Sequence, residues 1–427
     1  MHENYLEDIY RHKFSVNLAT VELTPTTNFP GAVAIAGTGA IAIDAEGVKF
    51  EIVVSPSTPM RDYSQISTPF SNLPGRYNLN AVADNGTQWL VRGIQLIEWI
   101  GTIHSHTYEL EVTSRSTHLQ NVNQAQLLFG PVKDDSGLTW PSAPIIVSEL
   151  EITFHYVRLE RLLRVQVESE RPIDEVSPSR ISEALYFVLG DSPGRLASSV
   201  VNKQLTTTKL RPPNRDQAAQ PRPPLSALHD SEDIRRLFEK YLDFILTDRQ
   251  SNFHPMSRLV WSTIRSSSSL VDIDGLIIAV VVEGLLLSQL RPYGEASDRF
   301  KRDLGTVDRI LEYVRISSRS RRRISGSLKS MEGPSATSAL KTLVDMGMID
   351  AELVKTWNKL RNSRAHGTFS GADNLLENYD LNLSVLQLLY HLVFLIIGYT
   401  GSYTDYSDSE KQKQFDKALP TLVAKPS

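Results

Sequence analysis

Arg361, Asn362 and His366 lie close together in the run Arg361-Asn362-Ser363-Arg364-Ala365-His366-Gly367. The run combines a permanently cationic guanidinium, a carboxamide and an imidazole that exchanges protons near neutral pH. That set suits phosphodiester chemistry, and RNA is its natural substrate: the 2′-OH is a built-in nucleophile, so cleavage needs only proton transfer and charge stabilisation. A positioned histidine contributes about 10²- to 10⁴-fold as base or acid. Arginine neutralises charge growing on the non-bridging phosphate oxygens. The expected products are a 2′,3′-cyclic phosphate and a 5′-OH, with no metal or other cofactor required. Spacing alone proves little, because Arg-x4-His arises about once by chance in a chain of this composition. Arg249 to His254 is a second copy, in an expected inter-helix loop. The elements around the motif must decide.

The motif belongs at the end of a helix. Asp350 caps its start, Leu353, Trp357 and Leu360 mark its buried face, and Gly367 stops it. On an ideal helix Arg361 and His366 sit about 140° apart, whereas Asn362 and His366 are about 40° apart. Asn362 is therefore the local partner, either holding the imidazole or binding a phosphate oxygen. Arg361 reaches round on its long stem and Arg364 assists. One histidine leaves the acid or the base missing; two chains facing each other across a twofold axis would supply both. The bland alternative is that His366 only caps its own helix.

Helical periodicity runs from 229 to 400. Ile234, Leu237, Phe238, Tyr241, Leu242, Ile245 and Leu246 repeat at helical spacing after an acidic first turn. A second region, about Met256 to Leu290, breaks near Ser266 to Ser269 and holds Glu283 in an apolar stretch. A carboxylate there must find a partner, so Glu283 is either satisfied structurally by an arginine or part of the cleft with Arg361. A third helix, from Asp298 to about Val314, has Phe300, Leu304, Val307 and Leu311 on one side. Arg315, Arg319, Arg321, Arg322, Arg323 and Lys329 follow without an acidic residue among them, as a solvated mobile loop or an RNA-capture surface. Ser335 to Met346 is a short helix closed by Gly347, and a final apolar helix covers about Asn374 to Ile397.

Upstream, residues 14 to 170 alternate in strand fashion, as in Val33, Ile35, Ile41, Ile43 and Val48, Phe50, Ile52, Val54. Gly37-Thr38-Gly39, Asp84-Asn85-Gly86 and Asp134-Asp135-Ser136-Gly137 read as turns. A sandwich or related β-rich architecture is expected, with either a helix or a strand between Ser182 and Leu205. His104-x-His106 would begin a metal site but lacks a third ligand, so no metal is expected. The division is thus a β-rich region over 1–205, a Pro-rich linker or strap over 206–228, a helical domain over 229–400 and a disordered polar tail over 401–427.

A formal net charge of −4 excludes a global pull toward nucleic acid, and the absence of cysteine excludes disulfides and thiolate chemistry. The charged N-terminus does not read as an export signal. Leu276 to Leu287 and Leu381 to Ile397 are apolar but short and interrupted by polar residues, as in buried helices. A cytoplasmic protein without membrane attachment is expected.

Gly347-Met348-Ile349-Asp350, then a helix, then Leu360-Arg361-Asn362-x-x-Ala365-His366-Gly367 resembles the HEPN superfamily, most closely its ApeA-like branch, over roughly residues 230 to 400. The resemblance places the family's Arg, following polar residue and His on Arg361, Asn362 and His366. It puts the acidic residue of an earlier core helix on Glu283. It implies an all-α, dimeric, metal-independent endoribonuclease of bacterial antiphage or toxin systems, following a β-rich region that senses an unknown trigger. Its alternative is a non-catalytic interaction or RNA-binding module on the same dimer.

Overall fold

The computed structural model describes residues 14–26, 34–44, 47–55, 77–84, 86–99, 102–107, 110–115, 123–130, 132, 140–157, 161–191, 193–202, 205–210, 222–225, 230–266, 270–365, 375–408 and 411–420. The fold is α+β, with a β-sheet region followed by a helical region. The chain divides into two compact units: residues 1–135, 140–178 and 193–217 form the first, and 136–139, 179–192 and 218–427 the second.

The first unit holds strands β1 (Phe14–Pro25), β2 (Ile35–Asp44), β3 (Gly47–Val54), β4 (Tyr77–Ala83), β5 (Gln88–Trp99), β6 (Thr102–Thr107), β7 (Leu110–Arg115), β8 (Asn123–Phe129), β9 (Ile145–Val147), β10 (Leu150–Val157), β11 (Leu162–Ser169), β12 (Arg195–Asn202) and β13 (Leu205–Leu210). Hydrogen bonding is continuous in the order β4-β1-β2-β3-β6-β5-β7-β13-β12-β8-β11-β10-β9, and β4 also pairs with β5. That extra pairing closes β1 to β6 into a ring, with the remaining strands continuing outward from β5. Alternate side chains fill the ring, among them Leu23, Ile35, Ile41, Phe50, Ile52, Leu79, Trp89 and Val91.

Gly37-Thr38-Gly39, expected to form a turn, lies inside β2. A Cβ on Gly37 would stand 2.1 Å from the Val53 carbonyl oxygen, and one on Gly39 2.3 Å from that of Glu51. These glycines therefore serve close strand approach. Gly86, at φ +78°, does make the expected turn between β4 and β5, while the Asp134 to Gly137 turn lies outside the described residues. Both alternatives between Ser182 and Leu205 occur, as a helix α1 (Ser177–Leu189) followed by β12.

Most of α1 belongs to the second unit. Its remaining helices are α2 (Ser231–Leu246), α3 (Pro255–Ser266), α4 (Val271–Ser288), α5 (Arg291–Gly294), α6 (Asp298–Leu311), α7 (Ser318–Glu332), α8 (Ala336–Asp345), α9 (Ala351–Ala365) and α10 (Leu375–Ile397). Asp230 caps α2 by accepting the Glu232 and Asp233 N–H groups, and all seven apolar positions read from its periodicity are buried. Among the described residues, α10 is the one helix long and apolar enough to cross a membrane, and most of it is buried inside the unit.

Three expectations are corrected here. The first five residues of the expected linker beyond 205 belong to β13, which pairs with β7 and β12. Further along, Arg222 to Leu225 form a strap: Tyr406 Oη donates to the Pro223 carbonyl (2.7 Å) and Thr404 N–H to that of Pro224 (2.9 Å). Residues 401–427 are not simply a polar tail. β14 (Gly401–Asp405) is buried throughout and pairs with β15 (Lys411–Phe415). Tyr403 and Phe415 pack with His391 and Phe394 of α10, so aromatic burial holds a segment whose composition looks polar. Finally, the basic segment is not a loop but α7, whose N-cap Ser317 accepts the Ser320 N–H.

Candidate active site on helices α4 and α9

Gly347 at φ +70° ends α8, with Gly347 N–H donating to Val344 and Met348 N–H to Leu343. Asp350 then accepts the Glu352 N–H (2.8 Å) and starts α9. Leu353, Trp357 and Leu360 bury one face of α9, as their spacing requires. The Trp357 indole N–H donates to the Ala279 carbonyl of α4 (3.1 Å), locking the two helices at that level.

Arg361 and Glu283 stand one turn further along their own helices. Helical side chains lean toward the N-terminus, and the guanidinium carbon lies 5.5 Å from the Trp357 ring centroid. There Nε and one terminal nitrogen of Arg361 each donate to a different oxygen of Glu283, both at 2.9 Å. This two-point pairing fixes the orientation of the guanidinium plane. Neither side chain is sealed off, with Arg361 40% and Glu283 32% exposed. Solvent therefore screens their attraction, and the pair contributes at most about 1 kcal/mol to stability. The two readings of Glu283, as structural partner and as neighbour of Arg361, describe a single contact.

Asn362 is exposed, and Ser363 Oγ donates to the Leu360 carbonyl (3.0 Å). Arg364 lies on α9, but its side chain, together with His366 and Gly367, lies outside the described residues. The structure thus brings Arg361 and Glu283 together and leaves the Asn362–His366 relation untouched. Trp357 reads from the sequence only as a core residue; its additional place under Arg361 is signalled by their four-residue spacing.

Glu283 also borders an apolar stripe. Ile273, Leu276, Val280 and Leu287 on the same helix are exposed, and they fall within an arc of about 60° whose edge is about 20° from Glu283. The apolar run expected to be wholly buried is therefore buried on one face only. Asp274 and Gly275 are among the residues on that buried face.

Of the cations expected to hold RNA, Arg315, Arg319, Arg322, Arg323 and Lys329 are exposed. Arg321 is half-buried and donates to the Val314 carbonyl (3.1 Å).

A second arginine–glutamate pair carries no recognisable signal in the sequence. Arg180 and Glu183 of α1 are 0% and 1% exposed and 2.6 Å apart. Arg180 also donates to the carbonyls of Asp248 (2.8 Å) and Ser251 (2.7 Å), and Glu183 accepts the His254 N–H (3.2 Å). Burial pushes the Glu183 carboxyl up despite these bonds. His254 Nδ1 accepts the Met256 N–H (3.2 Å), and burial, aided by Arg180, lowers its pKa to about 4. His254 of the second Arg-x4-His copy is therefore packed into a buried junction, while Arg249 is exposed.

No protein-family model matches the chain, and neither a curated protein nor a solved structure matches it.

Proposed function

We propose that the protein is an endoribonuclease that cuts RNA by 2′-OH attack at a site built on Arg361, Asn362 and His366. The observation carrying this reading is the half-exposed Arg361 guanidinium, held by Glu283 and Trp357 at the end of the motif helix. An orienting carboxylate that leaves the cation open to solvent suits recognition of a charged phosphate. In the reaction, one His366 takes the 2′-OH proton as the 2′-oxygen bonds to phosphorus. The P–O5′ bond breaks, and a second His366 protonates the leaving 5′-oxygen. The second histidine comes from another copy of the chain, and the exposed stripe on α4 beside Glu283 supplies apolar surface for that pairing. Glu283 is a positioning residue and Arg364 assists at the phosphate. The first unit restrains the nuclease or senses its trigger, as in a bacterial antiphage or abortive-infection effector acting in the cytoplasm.

The test is incubation of the full chain with tRNA and bulk RNA in EDTA. The expected result is cleavage leaving 2′,3′-cyclic phosphate ends, abolished in His366→Ala. If His366→Ala cuts as fast as the parent, the reading fails. If the parent cuts nothing across a panel of triggers but still dimerises, the chain is an interaction module.

A further inference from the structure

The hairpin of α6 and α7 buries almost nothing: Leu304 is buried in α6, and no residue is buried in α7. The two helices hold each other through one side of α7, where Arg321, Ser325 and Leu328 are half-buried. Arg321 donates to the Val314 carbonyl and Ser325 Oγ to Asp308. The outer side is different in kind. At about 100° per residue, Arg319, Arg322, Arg323 and Lys329 fall within an arc of about 120°, strung along about 15 Å of helix axis. All four are exposed, and Glu332 is the only acidic residue of the helix. Among the described residues none of the four enters an ion pair.

Gly326 lies inside the same arc, between the arginines and Lys329. A Cβ built there meets nothing within 4 Å, so packing does not explain the glycine. A glycine in a helix interior costs about 1 kcal/mol relative to alanine. What it provides is a bare saddle of backbone between the three arginines and Lys329. Beside the first turns of α7, next to the Val314 carbonyl that Arg321 grips, Tyr313 is 87% exposed. Ile324 and Met331 are also exposed, but at about 100° per residue they lie about 80° to 100° beyond the edge of the basic arc, on the far side of the helix.

We infer that α7 is a docking ridge for single-stranded RNA. Arg319, Arg322, Arg323 and Lys329 grip successive phosphates, and the Gly326 saddle admits the sugar–phosphate chain between them. The choice of RNA as the polyanion rests on the cleavage reading of the Arg361 site. The choice of a single strand rests on Tyr313, whose exposed ring offers a surface to an unpaired base that a duplex keeps stacked internally. Arg321, committed to Val314, takes no part.

The experiment is fluorescence anisotropy of the full chain with a labelled 2′-O-methyl oligouridine, which lacks the nucleophile and stays intact. The salt dependence is compared in the parent, in R319Q/R322Q/R323Q/K329Q, in Gly326→Ala and in Lys240→Gln, an exposed cation on α2. The salt slope should fall by about 0.7 for each phosphate that is no longer gripped, so by up to about 2.8 in the quadruple variant. Lys240→Gln should bind like the parent. Gly326→Ala should bind several-fold more weakly with no loss of thermal stability. Unchanged affinity and slope in the quadruple variant overturn the proposal, as does equal preference for duplex RNA or for acidic phospholipid vesicles. Cleavage is read separately. A parent that cuts while the quadruple variant binds normally defeats the ridge and spares the nuclease; a parent that binds through α7 yet never cuts does the reverse.

Discussion

The chain contains two arginine–glutamate pairs of nearly the same chemistry and opposite use. Arg180 and Glu183 are sealed, and the guanidinium spends its donors on a carboxylate and two backbone carbonyls. Arg361 and Glu283 make a tidier two-point contact but stand open to water. Burial converts the first into a clamp holding α1 and the 248–254 loop together, because breaking it strands charge in a poor dielectric. Exposure makes the second nearly neutral for stability and leaves the cation available to a ligand. Accessibility thus separates scaffold from site more cleanly than geometry does.

The largest effect expected from this contrast is in Arg180→Ala. It removes the cation beside Glu183 and the donors to two carbonyls and should cost about 3–5 kcal/mol in urea unfolding; a loss below about 1 kcal/mol would undo the contrast. Next comes Arg361→Ala, which should lower RNA cleavage about 10²- to 10³-fold while changing stability by no more than about 1 kcal/mol. Lysine should not restore the rate, because it lacks the planar fork.

The same contrast runs round α4. A Cβ on Gly275 would stand 2.3 Å from the Asn382 side-chain oxygen, and that amide already donates to the Val271 carbonyl (2.7 Å). Gly275→Ala should therefore destabilise by about 1–3 kcal/mol, whereas Val280→Ser on the exposed face should cost less than about 0.5 kcal/mol in the monomer.

A further effect is with pH. Burial holds both His254 and His391 neutral, with pKa values lowered to about 4. An unfolded imidazole titrates near about 6.5. Between those values the unfolded chain binds protons that the folded chain refuses, so stability is complete above about pH 6.5 and falls as pH drops toward 4. Glu183, shifted up by burial, works in the opposite sense from its ordinary carboxylate range upward and blunts the trend. Thermal midpoints should fall by several degrees between about pH 7 and about pH 5; a midpoint that rises over that interval would contradict the buried-neutral assignment.

Helix α2 is legible to the residue, because its apolar stripe matches the face it buries. Helix α6 carries an equally clear stripe, but Phe300 and Val307 on it are exposed and only Leu304 is buried. Periodicity reports where an apolar face lies and says nothing about whether a partner covers it. The motif helix, its Asp350 cap and its core face are legible for the same local reason. The closure of β1 to β6 depends on β4 meeting β5 on one side and β1 on the other, and no local pattern encodes that second pairing. Arg180 escapes notice because, although Glu183 is three residues away, the carbonyls that bury its other donors lie about seventy residues downstream. The β14–β15 hairpin escapes because its composition resembles that of a loop.

The strap has a consequence for how the molecule can be taken apart. The chain leaves the first unit briefly at 135/136, returns at 139/140, leaves again at 178/179, returns at 192/193 and leaves finally at 217/218. The second unit thus owns most of α1 and Leu225, which is fully buried, while β12 and β13 come between them along the chain. A fragment starting at residue 229 would lack the Arg180 clamp and the carbonyls that Tyr406 Oη and Thr404 N–H reach. Because each unit is assembled from separate segments of the chain, no single cut separates the two units whole.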